Sequence, residues 1–260
     1  LVGAAALVGV AWLTQVVHRR EAPARSSGAA SRPASPAASP SGAFALVLSH
    51  RYLTLIAGFS LIFTVVNTNG EYVLGKLIKA AAEPLVAAGS MSPADLRGFI
   101  DARYNLFFTW TNSLSFLLQL LVVSRLIRRA GFGLAFFVLP VIALLDASAA
   151  ALAPALAVVF VGKVAENSTD YSLNNTLRHM LWLPTSREMK YKAKQAVDTF
   201  FVRMGDVASG AWVVIGAGAL GLGVRGFVLA NVVLILVWLA LAWEIVRRWR
   251  ELGPSEAQQP

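Results

Sequence analysis

Residues 21–43 read EAPARSSGAASRPASPAASPSGA, and this stretch decides how the rest of the chain is divided. It is rich in Ala, Ser, Pro and Gly and contains no aromatic residue, so it has too little apolar bulk to be buried and predicts a disordered linker. One apolar segment, 1–17, precedes it. The expected organisation is therefore one helix, a linker at 18–45, a six-helix transmembrane bundle at 46–250 and a tail at 251–260.

The composition is that of a membrane protein. Hydrophobic residues make up 57% of the 260 residues, charged residues only 14%, and the mean hydropathy is +0.62. A soluble domain carries about 25% charged residues, so a soluble globular enzyme is excluded. A membrane-spanning helix needs about 20 mostly apolar residues. The segments that meet or approach that length are 1–17, 46–66, 104–124, 132–152, 154–181, 196–218 and 224–246.

Lysine and arginine are concentrated in alternate loops between these segments. Of the 23 basic residues, 15 lie in the loops on one side of the expected membrane and five on the other. Because cytoplasmic loops carry the excess of Lys and Arg, this asymmetry places the linker and the C-terminus in the cytoplasm. It also explains the net charge of +9 without a nucleic-acid partner. The expected location is a bacterial inner membrane, with the lipid bilayer as the surroundings.

One helix, a linker and six further helices form the pattern expected when a transporter of two six-helix halves is cut before its sixth helix. The predicted fold is therefore an all-α membrane protein. It would comprise the six-helix C-terminal half of a major facilitator-type transporter, arranged as two inverted three-helix repeats, and one preceding transmembrane helix. The chain begins inside an apolar run at Leu1, so an N-terminal six-helix half is expected as its missing partner.

Ionisable residues interrupt the apolar segment 154–181. Such groups are costly inside a membrane and normally face a water-filled path or a partner. If the segment is a helix that turns 100° per residue, six polar side chains fall within an arc of about 120°, and small residues lie on the opposite side. This pattern predicts a helix face that lines a cavity. The alternative is a structural ladder in which Glu166 pairs with Lys163 and Asn174 satisfies Asp170. The set comprises Lys163, Glu166, Asn167, Asp170, Asn174 and Arg178.

Other polar residues in the apolar segments have weaker interpretations. Asn67 and Glu71 are i, i+4 neighbours that indicate either a gate or a fraying, solvated helix end, and the second interpretation is slightly favoured. Asp146 is expected to be exposed in a turn. Arg203 and Asp206, at i, i+3, are expected to form a structural ion pair.

The chain has no pattern of catalytic or metal-binding residues. It contains no cysteine, and its three histidines are scattered without metal-ligand spacing. There is no phosphate-binding glycine loop and no plausible pair of nucleophile and base. The expectation is therefore a protein that is not an enzyme and has no cofactor and no metal.

The run from Lys163 to Asp206 contains a recognisable order of residues. A Tyr-Ser pair at 171–172 is followed by Thr176 and by Pro184 after an aromatic-rich stretch. A basic run comes next, and the residues of the pattern in and after it are Lys190, Lys192, Lys194, Asp198, Arg203 and Gly205. This run resembles the nucleotide transporter (ATP:ADP antiporter) family of bacteria and plastids, a twelve-helix branch of the major facilitator architecture.

This chain departs from the family pattern at two places. Typical exchangers carry a Lys-Glu pair after the Thr, whereas Leu177 and Arg178 stand here. They also carry a Lys after the late Gly, whereas Asp206 stands here. The resemblance is therefore to a divergent member, for which the fold transfers more safely than the substrate.

The resemblance implies an alternating-access transporter that exchanges an anionic small molecule, such as ATP and ADP or a related phosphorylated metabolite. Basic side chains would bind phosphate oxygens, polar side chains would bind base or ribose, and two acids would hold the basic groups between substrates or exchange a proton. The groups for phosphate would be Lys163, Arg178 and Arg203. The groups for base or ribose would be Asn167, Tyr171 and Asn174, and the two acids would be Glu166 and Asp170.

Two alternatives remain open. The first is proton-coupled transport of an unrelated solute, with Glu166 or Asp170 as the proton carrier. The second is a membrane scaffold or sensor that keeps the transporter fold, transports nothing, and binds a partner through the linker.

Overall fold

The computed structural model describes residues 40–92 and 94–253, and helices form almost all of these two ranges without any strand. The helix expected at 1–17, most of the linker and the end of the tail lie outside the described residues. Nine α-helices are present in the described part: α1 (Pro40–Ser49), α2 (Arg51–Ala87), α3 (Asp95–Leu118), α4 (Ser124–Leu152), α5 (Leu156–Thr169), α6 (Asn175–Met180), α7 (Arg187–Ala196), α8 (Val202–Val214) and α9 (Val224–Leu252).

Several of these helices are continuous with the next through a π-helical turn, which is wider than an α-helical turn. The turns are π1 (Gln119–Val123) between α3 and α4, π2 (Asp170–Asn174) between α5 and α6, π3 (Val197–Phe201) between α7 and α8, and π4 (Ile215–Ala219) after α8. A sharper break occurs inside α4, where Gly131 has φ 73° and ψ 170°. Only glycine adopts this positive φ without strain, so the glycine fixes the place of the break.

Four continuous stretches in the described part are long and apolar enough to cross a membrane: Arg51–Ala87, Asp95–Leu152, Met189–Ala219 and Val224–Leu252. The second has 58 residues and bends at Gly131, between the segments predicted at 104–124 and 132–152. The charged stretch from α5 to α6 is not among these four. The protein is thus an all-helical membrane protein, and the arrangement as two inverted repeats stays a prediction.

Helix α1 begins at Pro40, within the stretch 18–45 that the sequence predicts as linker. Phe44 and Val47 explain the helix: Val47 is fully buried, and the Phe44 ring lies 4.5 Å from that of Phe200 in an edge-to-face contact. The break at His50 then separates α1 from α2. From there α2 runs to Ala87, well past the segment predicted at 46–66.

Helix α2 occupies the centre of the described bundle and packs against α5, α8 and α9, while α4 packs against α5 and α9. Gly205 shows how closely α8 approaches α2. A Cβ at this position would lie 2.7 Å from the Cβ of Thr64 and 3.0 Å from the carbonyl oxygen of Leu61. A small residue is therefore required there, as is common where membrane helices pack tightly.

Two apolar clusters fill the described core, and a polar layer separates them. Along α2, the first cluster ends at Val66 and the second begins at Val73. Along α9, the second cluster contains Val228 and the first begins at Ile235. The side chains between these positions are polar and mostly buried, and we call them the polar layer: Asn67, Asn69, Lys163, Glu166, Asn167 and Asn231.

Candidate substrate site

Lys163 is the central residue of the polar layer. Its side chain is only 1% exposed, and Nζ donates a hydrogen bond of 2.8 Å to Asn67 Oδ1. Nζ also lies 3.1 Å from Glu166 Oε1, an ion-pair contact without hydrogen-bond geometry. The lysine chain crosses α2 at Gly70, where a Cβ would lie 3.1 Å from Lys163 Cδ. The helices α2 and α5 are therefore joined through one buried ammonium group.

Glu71 extends this network towards the open side of the helices. Its Oε1 accepts hydrogen bonds from Asn67 Nδ2 at 3.3 Å and from Asn167 Nδ2 at 3.4 Å, although Glu71 is itself exposed. It also interacts electrostatically with Tyr104 and Tyr171. The polar layer therefore reaches the surface of the described bundle at Glu71.

The favoured interpretation of Asn67 and Glu71 as a fraying helix end is wrong. Both lie inside the uninterrupted α2, and both contact side chains of α5. The neighbouring glycines at 70 and 75 do not break the helix. They instead admit side chains from other helices, Lys163 at the first and Tyr104 at the second.

The π2 turn carries three of the predicted site residues. Asn174 Nδ2 donates to Asp170 Oδ1 at 2.7 Å, as the alternative of a structural ladder predicted. Tyr171 is 48% exposed and points away from the buried core. The face opposite the charged residues is buried as well, because Ser172 packs inside and donates to the carbonyl oxygen of Ser168 at 2.7 Å.

The two predicted arginines lie apart from Lys163. Arg178 NH2 is 3.4 Å from Asp198 Oδ1 on π3, and its guanidinium lies 5.9 Å from the centre of the Phe63 ring. Arg203 pairs with Asp206 at 3.1 Å, as its spacing predicted, and is 82% exposed. No contact in the described ranges joins either arginine directly to Lys163.

Asp146 is not exposed in a turn, so that expectation is wrong. It lies within α4, and its Oδ1 is buried with no hydrogen-bond partner in the described part of the chain. Gly162 on α5 gives it room, since a Cβ there would overlap the Asp146 carboxylate. An acid within the run VIALLDASAAA was a visible signal for a buried group, whereas nothing in the sequence indicated the role of Gly162.

The polar layer has the chemistry of an ion-binding site and lacks that of a catalytic one. One buried ammonium lies among carboxylates and carboxamides, which bind and release charged groups without covalent chemistry. Among the described residues, no group of three His, Asp or Glu side chains is placed to hold a metal ion. The layer is therefore suited to reversible binding of a charged solute.

Comparison with known proteins agrees with such a role. The ADP,ATP carrier protein 1 of Chlamydia trachomatis serovar D is 24% identical over 178 residues, which cover 59% of this chain and 33% of that protein. The chain thus spans about a third of the length of this curated relative. No solved structure matches the chain.

A sequence profile gives the broader match. The profile described as TLC ATP/ADP transporter matches residues 1–249, nearly the whole chain. The resemblance found in the run from Lys163 to Asp206 is confirmed by this match, and a family of transporters, not of enzymes, accounts for the sequence. The chain belongs to the TLC ATP/ADP transporter family.

Proposed function

We propose that this chain is part of a secondary transporter that exchanges nucleotides of the ATP and ADP type, or related phosphorylated metabolites, by alternating access. The observation that carries the proposal is the buried Lys163, which contacts Glu166 and Asn67; Asn67 in turn donates to the exposed Glu71. A charge held inside a membrane helix in this way normally belongs to a substrate or ion path.

Lys163 is the proposed phosphate-binding group. A phosphate oxygen accepts a charge-assisted hydrogen bond from an ammonium more strongly than the carboxamide of Asn67 does. Between substrates, Glu166 stays 3.1 Å from Nζ and compensates its charge, so the lysine does not remain buried and unpaired. The site is then stable in both its loaded and its empty state.

The remaining predicted residues have proposed roles around this lysine. Tyr171 is exposed near Glu71 and is available to stack on a base, while the amides of Asn167 and Asn174 offer hydrogen bonds to base or ribose. Asp170 holds Asn174 in place. These roles are proposals built on exposure and hydrogen-bonding capacity.

Arg178 and Arg203 are proposed as phosphate contacts in other conformations of the transport cycle. Each is already paired with an acid, at 3.4 Å and 3.1 Å respectively, so each pair must open before phosphate binds. Rocking of one transporter half against the other changes the contacts at such positions. The proposed partner is an N-terminal six-helix half, and the proposed location is a bacterial inner membrane with the C-terminus in the cytoplasm.

The test is uptake of labelled ATP by liposomes that contain the complete protein and are loaded with unlabelled ADP. Wild type is compared with Lys163→Gln, and Lys76→Gln, an exposed lysine on the same helix α2 as the contacts of Lys163, is the matched control. A hydrogen bond to a charged group contributes about 1.5–3 kcal/mol, so Lys163→Gln should lower uptake roughly 10- to 100-fold. The control should transport like wild type.

A second variant separates lost binding from lost folding. Lys163→Gln alone leaves Glu166 buried without its cation, whereas Lys163→Gln together with Glu166→Gln removes both charges. The double variant should be well folded and inactive. Full uptake by a folded double variant, or uptake into liposomes without internal nucleotide, would contradict nucleotide exchange at this site.

A further inference from the structure

A small cavity lies beside Lys163. Its volume is about 20 Å³, enough for one water-sized species, and Gly70, Asp146, Lys163 and Asn231 contribute to its walls. These residues come from α2, α4, α5 and α9. The cavity therefore lies at the meeting point of four helices, where the polar layer borders the second apolar cluster.

Two buried oxygen atoms of residues in the cavity walls have no hydrogen-bond donor within the described ranges. Asp146 Oδ1 is one of them. Asn231 is only 7% exposed and uses its amide nitrogen to donate to the carbonyl oxygen of Val66 at 3.3 Å, which leaves its Oδ1 as the second. Both residues line the cavity, so its walls hold two oxygen acceptors to which no described group donates.

The charges around the cavity do not balance. One basic group, Lys163, stands against two acidic groups, Glu166 and Asp146. The other titratable groups near this cluster are Glu71 on α2, Tyr104 on α3, and Asp170 and Tyr171 on π2, and none of them adds a positive charge; α9 contributes the neutral Asn231. Arg178 lies farther along and pairs with Asp198. With Lys163, Glu166 and Asp146 all ionised, these three groups carry one net negative charge, which one bound cation or a proton on Asp146 would neutralise.

We infer that this cavity binds one monovalent cation, either Na⁺ held by the oxygens of Asp146 and Asn231 or a proton on Asp146. The shared chemistry is a single positive charge placed against Asp146. Hard oxygen ligands suit Na⁺, and a single carboxylate with a carboxamide does not provide the ligands that a divalent ion requires.

This inference deepens the proposed function and rests on it for its consequence in transport. When Lys163 turns to a substrate phosphate, Glu166 and Asp146 lose part of their compensation. A cation in the cavity replaces that charge, so cation and phosphate favour each other's binding. Linkage makes the effect reciprocal: the cation tightens nucleotide binding by the same factor as the nucleotide tightens cation binding.

The first experiment needs no nucleotide. The unfolding temperature of the complete protein in detergent is measured with NaCl and with N-methylglucamine chloride at equal ionic strength and pH, and then over a pH series in N-methylglucamine chloride. A ligand that binds only the folded protein raises the unfolding temperature. We expect a rise of roughly 2–4 °C, from Na⁺ in the first comparison or from protons in the second.

Asp146→Asn is the matching variant, because it removes the charge and keeps the shape of the side chain. The cation-dependent rise should disappear in this variant. Asp206→Asn is the control, since it removes an acid that pairs with Arg203 outside the cluster, and it should keep the rise. If Asp146→Asn does not fold, Asn231→Ala takes its place, because it removes the second cavity oxygen, and the cation-dependent rise should then be smaller than in wild type.

Each outcome has one meaning. A Na⁺-dependent rise identifies the Na⁺ source, and a pH-dependent rise without a Na⁺ effect, lost in Asp146→Asn, identifies the proton. Dependence on neither cation, or equal dependence in Asp146→Asn, means that the cavity holds water only and overturns the inference. Nucleotide affinity is measured separately, so a cation effect without any nucleotide binding would keep the cavity and reject the exchange of nucleotides.

Discussion

At the scale of single residues, two glycines make room for the charged groups of the polar layer. Gly70 admits the chain of Lys163, and Gly162 admits the carboxylate of Asp146. In both cases the missing Cβ is replaced by a charged side chain from another helix. These positions should therefore be far less tolerant of alanine than a helical glycine usually is.

We predict that Gly162→Ala destabilises the protein. The new methyl group overlaps the Asp146 carboxylate, and overpacking of this kind costs about 1–3 kcal/mol. Gly210→Ala is the matched control, because Gly210 is also helical but has open space around its Cα, so alanine there should be neutral or stabilising. Thermal unfolding of both variants in detergent checks this, and equal unfolding temperatures would contradict the described packing at Gly162.

The ion pair of Lys163 and Glu166 should behave as a coupled unit. Lys163→Gln leaves Glu166 buried without its cation and costs about 3–5 kcal/mol, whereas the double substitution also removes the Glu166 charge. Lys163→Gln should therefore unfold at a lower denaturant concentration than the double variant. Additive effects of the two single substitutions would mean that the charges do not interact.

The sequence predicted contacts within one helix better than contacts between helices. Spacing alone indicated the pairs Lys163 with Glu166, Asp170 with Asn174, and Arg203 with Asp206, because neighbours at i+3 and i+4 share a helix face. Spacing contains no information on which helices touch. The contacts of Asn67 and Asp146 with α5 could therefore not be predicted from residue spacing.

At the scale of secondary structure elements, π2 sets the orientation of α6 relative to α5. A helical wheel at 100° per residue assumes an unbroken α-helix, and the wider π turn breaks that assumption between Asp170 and Asn174. The residues after it are rotated, and Arg178 points to Phe63 and to Asp198 on π3. Nothing in the amino-acid pattern predicted this turn.

We predict that deletion of Ser172, a π2 residue without a proposed substrate contact, abolishes nucleotide uptake. The deletion would convert π2 into α-helix and rotate α6, which moves Arg178 away from its position beside Phe63 and Asp198. Deletion of Gly218 in π4 is the control, because that turn ends at a loop and Gly218 has open space around it. Uptake is measured in liposomes, and normal uptake after the Ser172 deletion would show that π2 has no role in the site.

At the scale of the whole molecule, the places of the helices were predicted better than their ends. The described helices and π turns overlap every predicted segment from 104 onward, although the stretch at 156–180 is not among those apolar enough to cross a membrane. Polar residues continue a helix when they find partners in the bundle, which is why α2 extends past Asn67 to Ala87 and α9 continues to Leu252. Hydropathy has no signal for such extensions.

The alternating charge of the loops gives a prediction of orientation. This chain has no cysteine, so a single introduced cysteine reports one position when the rest of the protein is also cysteine-free. A cysteine at Ser90, in the exposed loop after α2, should react with a membrane-impermeant maleimide in intact cells. A cysteine at Lys190, an exposed position on α7, should react only after the cells are opened. The reverse pattern would invert the proposed topology.

The charges between Leu156 and Met180 also affect how the protein is made. A Lys, Arg or Asp at the middle of a helix adds about 2.5–3.5 kcal/mol to the free energy of insertion by the translocon, so this stretch inserts poorly as an isolated segment. Its partners Asn67 and Glu71 lie on α2, which leaves the ribosome earlier and is already available to pair with Lys163 and Asn167. Biogenesis of this region thus depends on the order of synthesis, and variants of α2 should expose the α5 stretch to membrane quality-control proteases.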